Sequence, residues 1–234
     1  MNWGLGRFAN AIELQPIEFH RNWIRISIVM LCKGDHSMVF TKPRFASFEA
    51  YLTADPSELP KGKSEYWDGE LVPVMSESIG NINIATYLFA LLIQAGFPPQ
   101  ILCPGQIEVV VPGKPKTRFP DLTVLEEVHL TLLGQRGTIT REMPPPRAVV
   151  EVVSPGDENS ENYKRDYEVK PQQYAAIAVP EYWIIDPDRE WIKVGILDNS
   201  TYQFETFRGE EMIVSLTFPE LVLTASQILN AGRS

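Results

Sequence analysis

The chain has little cysteine. Cys32 and Cys103 are its only two, so no disulfide framework holds it, and the pair suits a reducing cytoplasm. Neither stands in a Cys-x-x-Cys pair, which argues against a structural zinc site. Long apolar runs are missing too: none approaches the ~18 residues that a membrane span requires. The longest N-terminal candidate, "WIRISIVMLC" (Trp23–Cys32), is short and carries Arg25. A basic start, apolar middle and small-residue cleavage site do not occur in the order of a secretory leader. The expectation is a cytoplasmic protein with no membrane partner. Positive charge is scarce as well: 21 Lys and Arg against 30 Asp and Glu give a formal net charge of −9. That argues against broad electrostatic capture of nucleic acid, so any chemistry on phosphate must rest on a metal ion or a local basic groove. No internal repeat or low-complexity segment is present.

What is there is ordinary globular material. The 234 residues, 44% hydrophobic and 22% charged, suffice for one large domain with a proper core. Residues 1–37 show no sustained period, and a second methionine stands at Met38. They read as an N-terminal extension outside a core domain at 38–234, so a chain starting at Met38 is expected to fold like the whole. "FASFEAYLT" (Phe45–Thr53) suggests a short helix. "EYWDGELVPVM" (Glu65–Met75) reads as a hairpin turning at Asp68-Gly69. In the next segment Ile82, Ala85, Phe89 and Leu92 recur at helical spacing, with Gly96 as the C-terminal cap. Strands are expected at "QIEVVV" (Gln106–Val111), "RFPDLTVL" (Arg118–Leu125), "RAVVEVV" and "PEYWIIDP" (Pro180–Pro187), and a final hairpin at "WIKVGIL" and "TYQFETF". Partly helical "NYKRDYEVKPQQYAAIAV" and a C-terminal helix at Thr224–Asn230 complete a mixed α/β (α+β) domain around a central sheet.

One residue is out of place. Glu151 lies among Ala148, Val149, Val150, Val152 and Val153 in a run that reads as a strand buried on both faces, where an isolated carboxylate faces a desolvation penalty of several kcal/mol. Asp121 stands in a similar position in "FPDLTVL". If the two strands pair, the carboxylates meet at one end of the sheet and at ~4 Å repel by about 4 kcal/mol. A shared proton or a cation relieves this, and hard oxygen ligands suit Mg²⁺ or Mn²⁺. Repulsion should raise the folded-state pKa of one carboxylate, and Glu151→Gln should then not destabilise the metal-free protein. Tyr167, Lys170 and Tyr174 share one helical stripe, although Pro171 places Lys170 at a helix start or kink. Taken singly each residue has a plainer reading: Glu151 as a strand-end residue, Pro-Asp as turn chemistry, Lys170 as a solvated lysine. A metal-independent carboxylate pair of the glycosidase kind is a further alternative.

In combination, "SEYWDGELVPVMSES", "RFPDLTVL", "PPPRAVVEVVSPGDEN", "KRDYEVKPQQYAAIAVPEYWIIDP" and "FPELVLTASQIL" resemble the Uma-two family of putative restriction endonucleases, within the PD-(D/E)XK nuclease superfamily. The resemblance runs from about Met38 to the C-terminus. It implies a restriction-endonuclease-like core, a central mixed β-sheet flanked by helices, and metal-dependent endonuclease activity with DNA as the expected substrate. Asp121 corresponds to the aspartate of the Pro-Asp motif and Glu151 to the acid of the central strand. The lysine usual two positions beyond is replaced by Val153, and Lys170 on the following helix takes its place. The implied metal ligands are Asp121, Glu151, the backbone carbonyl of Val152 and Glu65 in support. Asn81 stands where many relatives have histidine. The resemblance also implies a homodimer, and the alternative to an enzyme is a non-catalytic descendant that binds nucleic acid or protein.

Overall fold

Unbroken apolar runs in the middle of the chain become the strands of the central sheet, because a strand covered on both faces needs no polar alternation. In the computed structural model residues 44–233 are described, together with the backbone of Phe19–His20 and Trp23–Ile24. Most of the extension, Cys32 and the 37/38 boundary lie outside the described residues.

By compactness the chain divides into two units. The first, in its described part, comprises residues 44–60 and 66–72 with the two N-terminal strand pieces. It takes in most of a five-stranded sheet formed by β1 (Phe19–His20), β2 (Trp23–Ile24), β3 (Arg44–Phe45), β4 (Ser64–Trp67) and β5 (Glu70–Pro73), in the order β1-β2-β3-β5-β4. Residues Trp23 and Ile24 pair with Phe45 and Arg44, so part of the N-terminal extension contributes to this sheet. Asp68 (φ 45°) and Gly69 (φ 95°) make the expected turn, both in the left-handed region that a two-residue hairpin loop requires. The short helix α1 (Phe48–Leu52) is capped by Ser47 and packs Tyr51 against Phe45 and Tyr66.

The second unit holds the remaining elements. Helix α2 (Ile79–Gln94) is followed by β6 (Leu102–Cys103), β7 (Glu108–Val110), β8 (Thr117–Arg118), β9 (Leu122–Val124), α3 (His129–Leu132), β10 (Thr138–Ile139) and β11 (Ala148–Val152). Then come α4 (Glu161–Lys164), a π-turn at Arg165–Val169, α5 (Lys170–Ala176), β12 (Glu181–Asp186), β13 (Trp191–Asp198), β14 (Thr201–Phe207) and α6 (Ala225–Asn230). The central sheet is six-stranded, ordered β14-β13-β12-β11-β9-β6, and mixed: β11 runs parallel to β12 and antiparallel to β9. Every residue of β11 and of β12 is buried. At about 1.5–3 kcal/mol for each large side chain removed from water, these two strands anchor the core with Leu122, Trp183, Ile184 and Ile185.

Two expectations change. The single strand expected over Arg118–Leu125 is two: β8 belongs to a three-stranded sheet (β10-β7-β8) and β9 to the central sheet. Pro120, with no N–H to give a ladder, lies in the break, and Asp121 follows it at the very entry to β9. In α2 the inward residues are Asn81, Ile84, Ala85, Leu88 and Leu92, whereas Ile82 is exposed. This helix is apolar nearly all round, so spacing alone leaves its phase undetermined. Gly96 ends it as expected, at φ 94°.

Candidate active site

Strand pairing sets the site. Val150 opposes Leu122 and Val149 opposes Thr123, and the same register continued by one step sets Glu151 opposite Asp121. The Val152 N–H donates to Asp121 Oδ2 at 2.6 Å, which closes this corner of the sheet. Sheet alternation turns Glu151 to the same side as Val149, toward the helical run that follows β11.

That run supplies the cation which a buried Glu151 needs. Lys170 Nζ lies 2.9 Å from Glu151 Oε2 and 2.9 Å from Asp166 Oδ1. The Tyr174 hydroxyl donates to Glu151 Oε1 at 2.6 Å. Asp166, buried in turn, accepts both from the Arg165 guanidinium and from the Ser154 N–H. The chain stays helical through Pro171, whose missing N–H needs no partner in the first turn of α5, and the wider π-turn just before it absorbs the ring. Tyr167 therefore leaves the expected stripe, and its hydroxyl donates instead to Asp186 at 2.6 Å. Nothing in the apolar patterning singles out Asp166. Its signal is present all the same, since Asp166 and Lys170 are four apart on a helix and can pair.

This network changes the expectation for Glu151→Gln. Its charge faces an ammonium 2.9 Å away, so the substitution weakens a buried ion pair instead of relieving repulsion. Because Lys170 keeps Asp166, the expected loss is roughly 1–3 kcal/mol in the metal-free protein. Urea unfolding at neutral pH with chelator checks this, and a variant as stable as the parent would contradict it.

The repulsion settles on the partner. Burial first, and then the Glu151 charge, push the Asp121 carboxyl up to about 8, outweighing Lys170 and the Val152 N–H. For Lys170 burial alone would lower the pKa, but Glu151, Asp166 and Asp121 together hold it above its ordinary value. Lys170 is thus an ammonium, able to donate and to offset negative charge and unsuited to accept a proton.

The corner opens on a cleft of about 540 Å³, with Glu77, Asn81, Arg118 and Arg165 in its walls. Glu65 is there as well, ion-paired with Arg118 at 3.1 Å. Arg118 is further held by Gln173. Among the described residues no three His, Cys, Asp or Glu side chains form a metal-binding group, and the Glu65 carboxylate is engaged by Arg118. Two carboxylates still fit Mg²⁺, which is commonly held by one or two and keeps several waters. The chemistry of the pair fits as well, since a divalent cation would let Asp121 ionise beside Glu151. The Asn81 amide lies 3.4 Å from the carbonyls of Val152 and Val153 and steadies the end of β11.

The family model described as "Putative restriction endonuclease" (Uma2) matches residues 48–226. The chain belongs to this family. Glu65, Asp121, Glu151 and Lys170 all fall inside the matched span. A crystal structure from Anabaena variabilis ATCC 29413, described as a putative nuclease, superposes with a TM-score of 0.57 at 16% sequence identity, covering 79% of this chain and 97% of that one. At that identity the likeness speaks for the fold alone, and the mixed α+β fold expected for the Uma2 chain is the one observed. No curated protein matches. Among the described residues no helix is long and apolar enough to cross a membrane.

Proposed function

We propose that this Uma2 chain is an endonuclease that hydrolyses phosphodiester bonds in DNA with Mg²⁺ or Mn²⁺. The observation that carries the reading is the Asp121–Glu151–Lys170 corner: a buried Glu151 and a part-buried Asp121 opposite each other at a strand end, with the Asp121 carboxyl pushed up to about 8 by burial and by the Glu151 charge. Asp121, Glu151 and the Val152 carbonyl would hold the metal. When bound, a divalent cation supplies a polarised phosphate oxygen and a more acidic water. The remaining chemistry belongs to the chain. Lys170, kept protonated by Glu151 and Asp166, sets an ammonium where charge grows on the phosphate. Tyr174 and the Val152 N–H fix the two carboxylates, and Arg118 and Arg165 give the cleft wall further cations.

One observation favours a second reading, a non-catalytic module. The Glu151 charge is already satisfied within the protein by Lys170 and Tyr174. A supercoiled plasmid incubated with Mg²⁺, Mn²⁺ or chelator separates the two. Nicking is expected with either metal, none with chelator and none with Asp121→Asn. DNA binding without nicking under any cation would favour the module, and nicking in chelator would overturn the metal role.

A further inference from the structure

A chain with a formal net charge of −9 has few cations to leave without a carboxylate, so where it does so is informative. Tyr163 and Tyr167 stack with ring centroids 4.4 Å apart, and Trp191 meets Tyr167 edge-on. The Trp191 indole N–H donates to the Tyr167 hydroxyl, which in turn donates to Asp186, so the rings form a fixed shelf. Three cations lie over it. Arg189 stands 4.9 Å from the Tyr163 centroid, Lys193 lies 5.5 Å from Tyr167 and 5.1 Å from Trp191, and Arg208 lies 4.3 Å from Trp191.

The three differ in what else they bind. Arg189 is committed, with Nη1 on buried Asp186 and Nη2 on the Gly156 carbonyl. Among the described residues the Lys193 ammonium and the Arg208 guanidinium pair with no carboxylate. Arg208 Nη1 makes one 3.3 Å bond to the Arg189 carbonyl, and the carboxylate of Glu211 accepts from the Arg208 backbone N–H. A cation over a ring face is held by the ring's charge distribution, which leaves its N–H groups open to an incoming anion. The shelf also adjoins the cleft. Tyr163 follows Asn162, and Gly156 follows Pro155, and both Asn162 and Pro155 line the cleft.

We infer that Lys193 and Arg208, carried on the Tyr163–Tyr167–Trp191 shelf, bind backbone phosphates of a nucleic acid outside the cleft. The inference rests on the proposed nucleic-acid substrate and names the local basic surface that so acidic a chain requires. Phosphate binding of this kind positions a duplex and reads no sequence.

The test is binding of a fluorescent 20-base-pair duplex in EDTA, so that hydrolysis plays no part, titrated with salt. Lys193→Gln with Arg208→Gln should weaken binding roughly tenfold. It should also lower the slope of log K against log salt by about 1.8, about 0.9 for each phosphate no longer neutralised. The charge-keeping pair Lys193→Arg with Arg208→Lys should retain the slope. Should the double variant melt early, Lys193→Gln alone carries the test, with a drop of about 0.9. An unchanged slope in a folded variant overturns the inference, as does wild-type protein that binds polyglutamate as tightly as DNA. Plasmid nicking with an unchanged slope would remove this surface and leave the nuclease reading standing. Slope loss without nicking under any metal would do the reverse.

Discussion

Lys170→Met is expected to reduce both stability and rate by large amounts. The side chains of Glu151 and Asp166 are 3% and 1% exposed, and Lys170 Nζ is within 2.9 Å of each. Breaking a buried pair while leaving the carboxylates in place costs roughly 3–5 kcal/mol. On a chain of this size that lowers the melting temperature by about 10 °C or more. Burial pushes the Asp166 carboxyl up, but the Lys170 charge and the Arg165 hydrogen bond outweigh it and leave it below its ordinary value. A depressed carboxylate contributes stability that is present above its unfolded pKa and lost as pH falls through the folded one. Without the ammonium the buried carboxylates of Lys170→Met take up protons more readily, so its deficit should be full at neutral pH and already smaller at about pH 4. In the plasmid assay the rate should fall roughly 10²-fold or more, the scale of one missing electrostatic donor. Melting curves at pH 7 and pH 4 check the first part, and an unchanged melting temperature at pH 7 would show that the ammonium does not hold the two carboxylates. An unchanged rate in folded protein would pass the role to Arg165.

Asp121→Asn is expected to act in the opposite direction on stability while removing activity. The Asp121 carboxyl, pushed up to about 8 by burial and then by Glu151, is mostly protonated at neutral pH in the absence of a cation. Its unfolded value is near 3.9. Between those values the native state holds a proton that the unfolded state has given up. Wild-type stability should therefore fall as pH rises from about 4 to about 8, by up to about 1.4 kcal/mol per unit, and level off above that. Asparagine keeps the acceptor for the Val152 N–H and has nothing to titrate. The two proteins should be about equally stable near pH 4, and the variant ahead by a few kcal/mol at pH 8. Added Mg²⁺ should raise the wild-type melting temperature, more so as pH nears 8 because there is less proton to displace, and leave the variant unmoved. Urea unfolding in chelator across pH 4–9 gives the first comparison. Coincident pH profiles would show that Asp121 does not carry the repulsion.

Elements whose causes are local are legible in the chain without its fold. The Val-rich run of β11, the Asp68-Gly69 turn, the β13–β14 hairpin, the Gly96 cap and the Thr224-capped final helix follow from residues within a few positions of one another. So does the demand that a carboxylate in an unbroken apolar strand find a cation, because it depends on the dielectric of the site and on no particular neighbour. What supplies the cation was left to the tertiary structure. Lys170 reaches Glu151 through the phase of a helical run, and the π-turn at Arg165–Val169 alters that phase in a way no fixed period describes. The same turn brings Asp166 to the ammonium and sends Tyr167 away to Asp186. Register decided which carboxylate is strained: β9 stops short at Pro120, Asp121 falls opposite Glu151, and Lys170 sits between Glu151 and Asp166, so Asp121 takes the proton. The cations over Tyr163, Tyr167 and Trp191 come from the β12–β13 turn, from β13 and from just after β14, whereas Tyr163 and Tyr167 come from the helical run between β11 and β12. Composition records their number, and only the folded sheet puts them on one face beside the cleft.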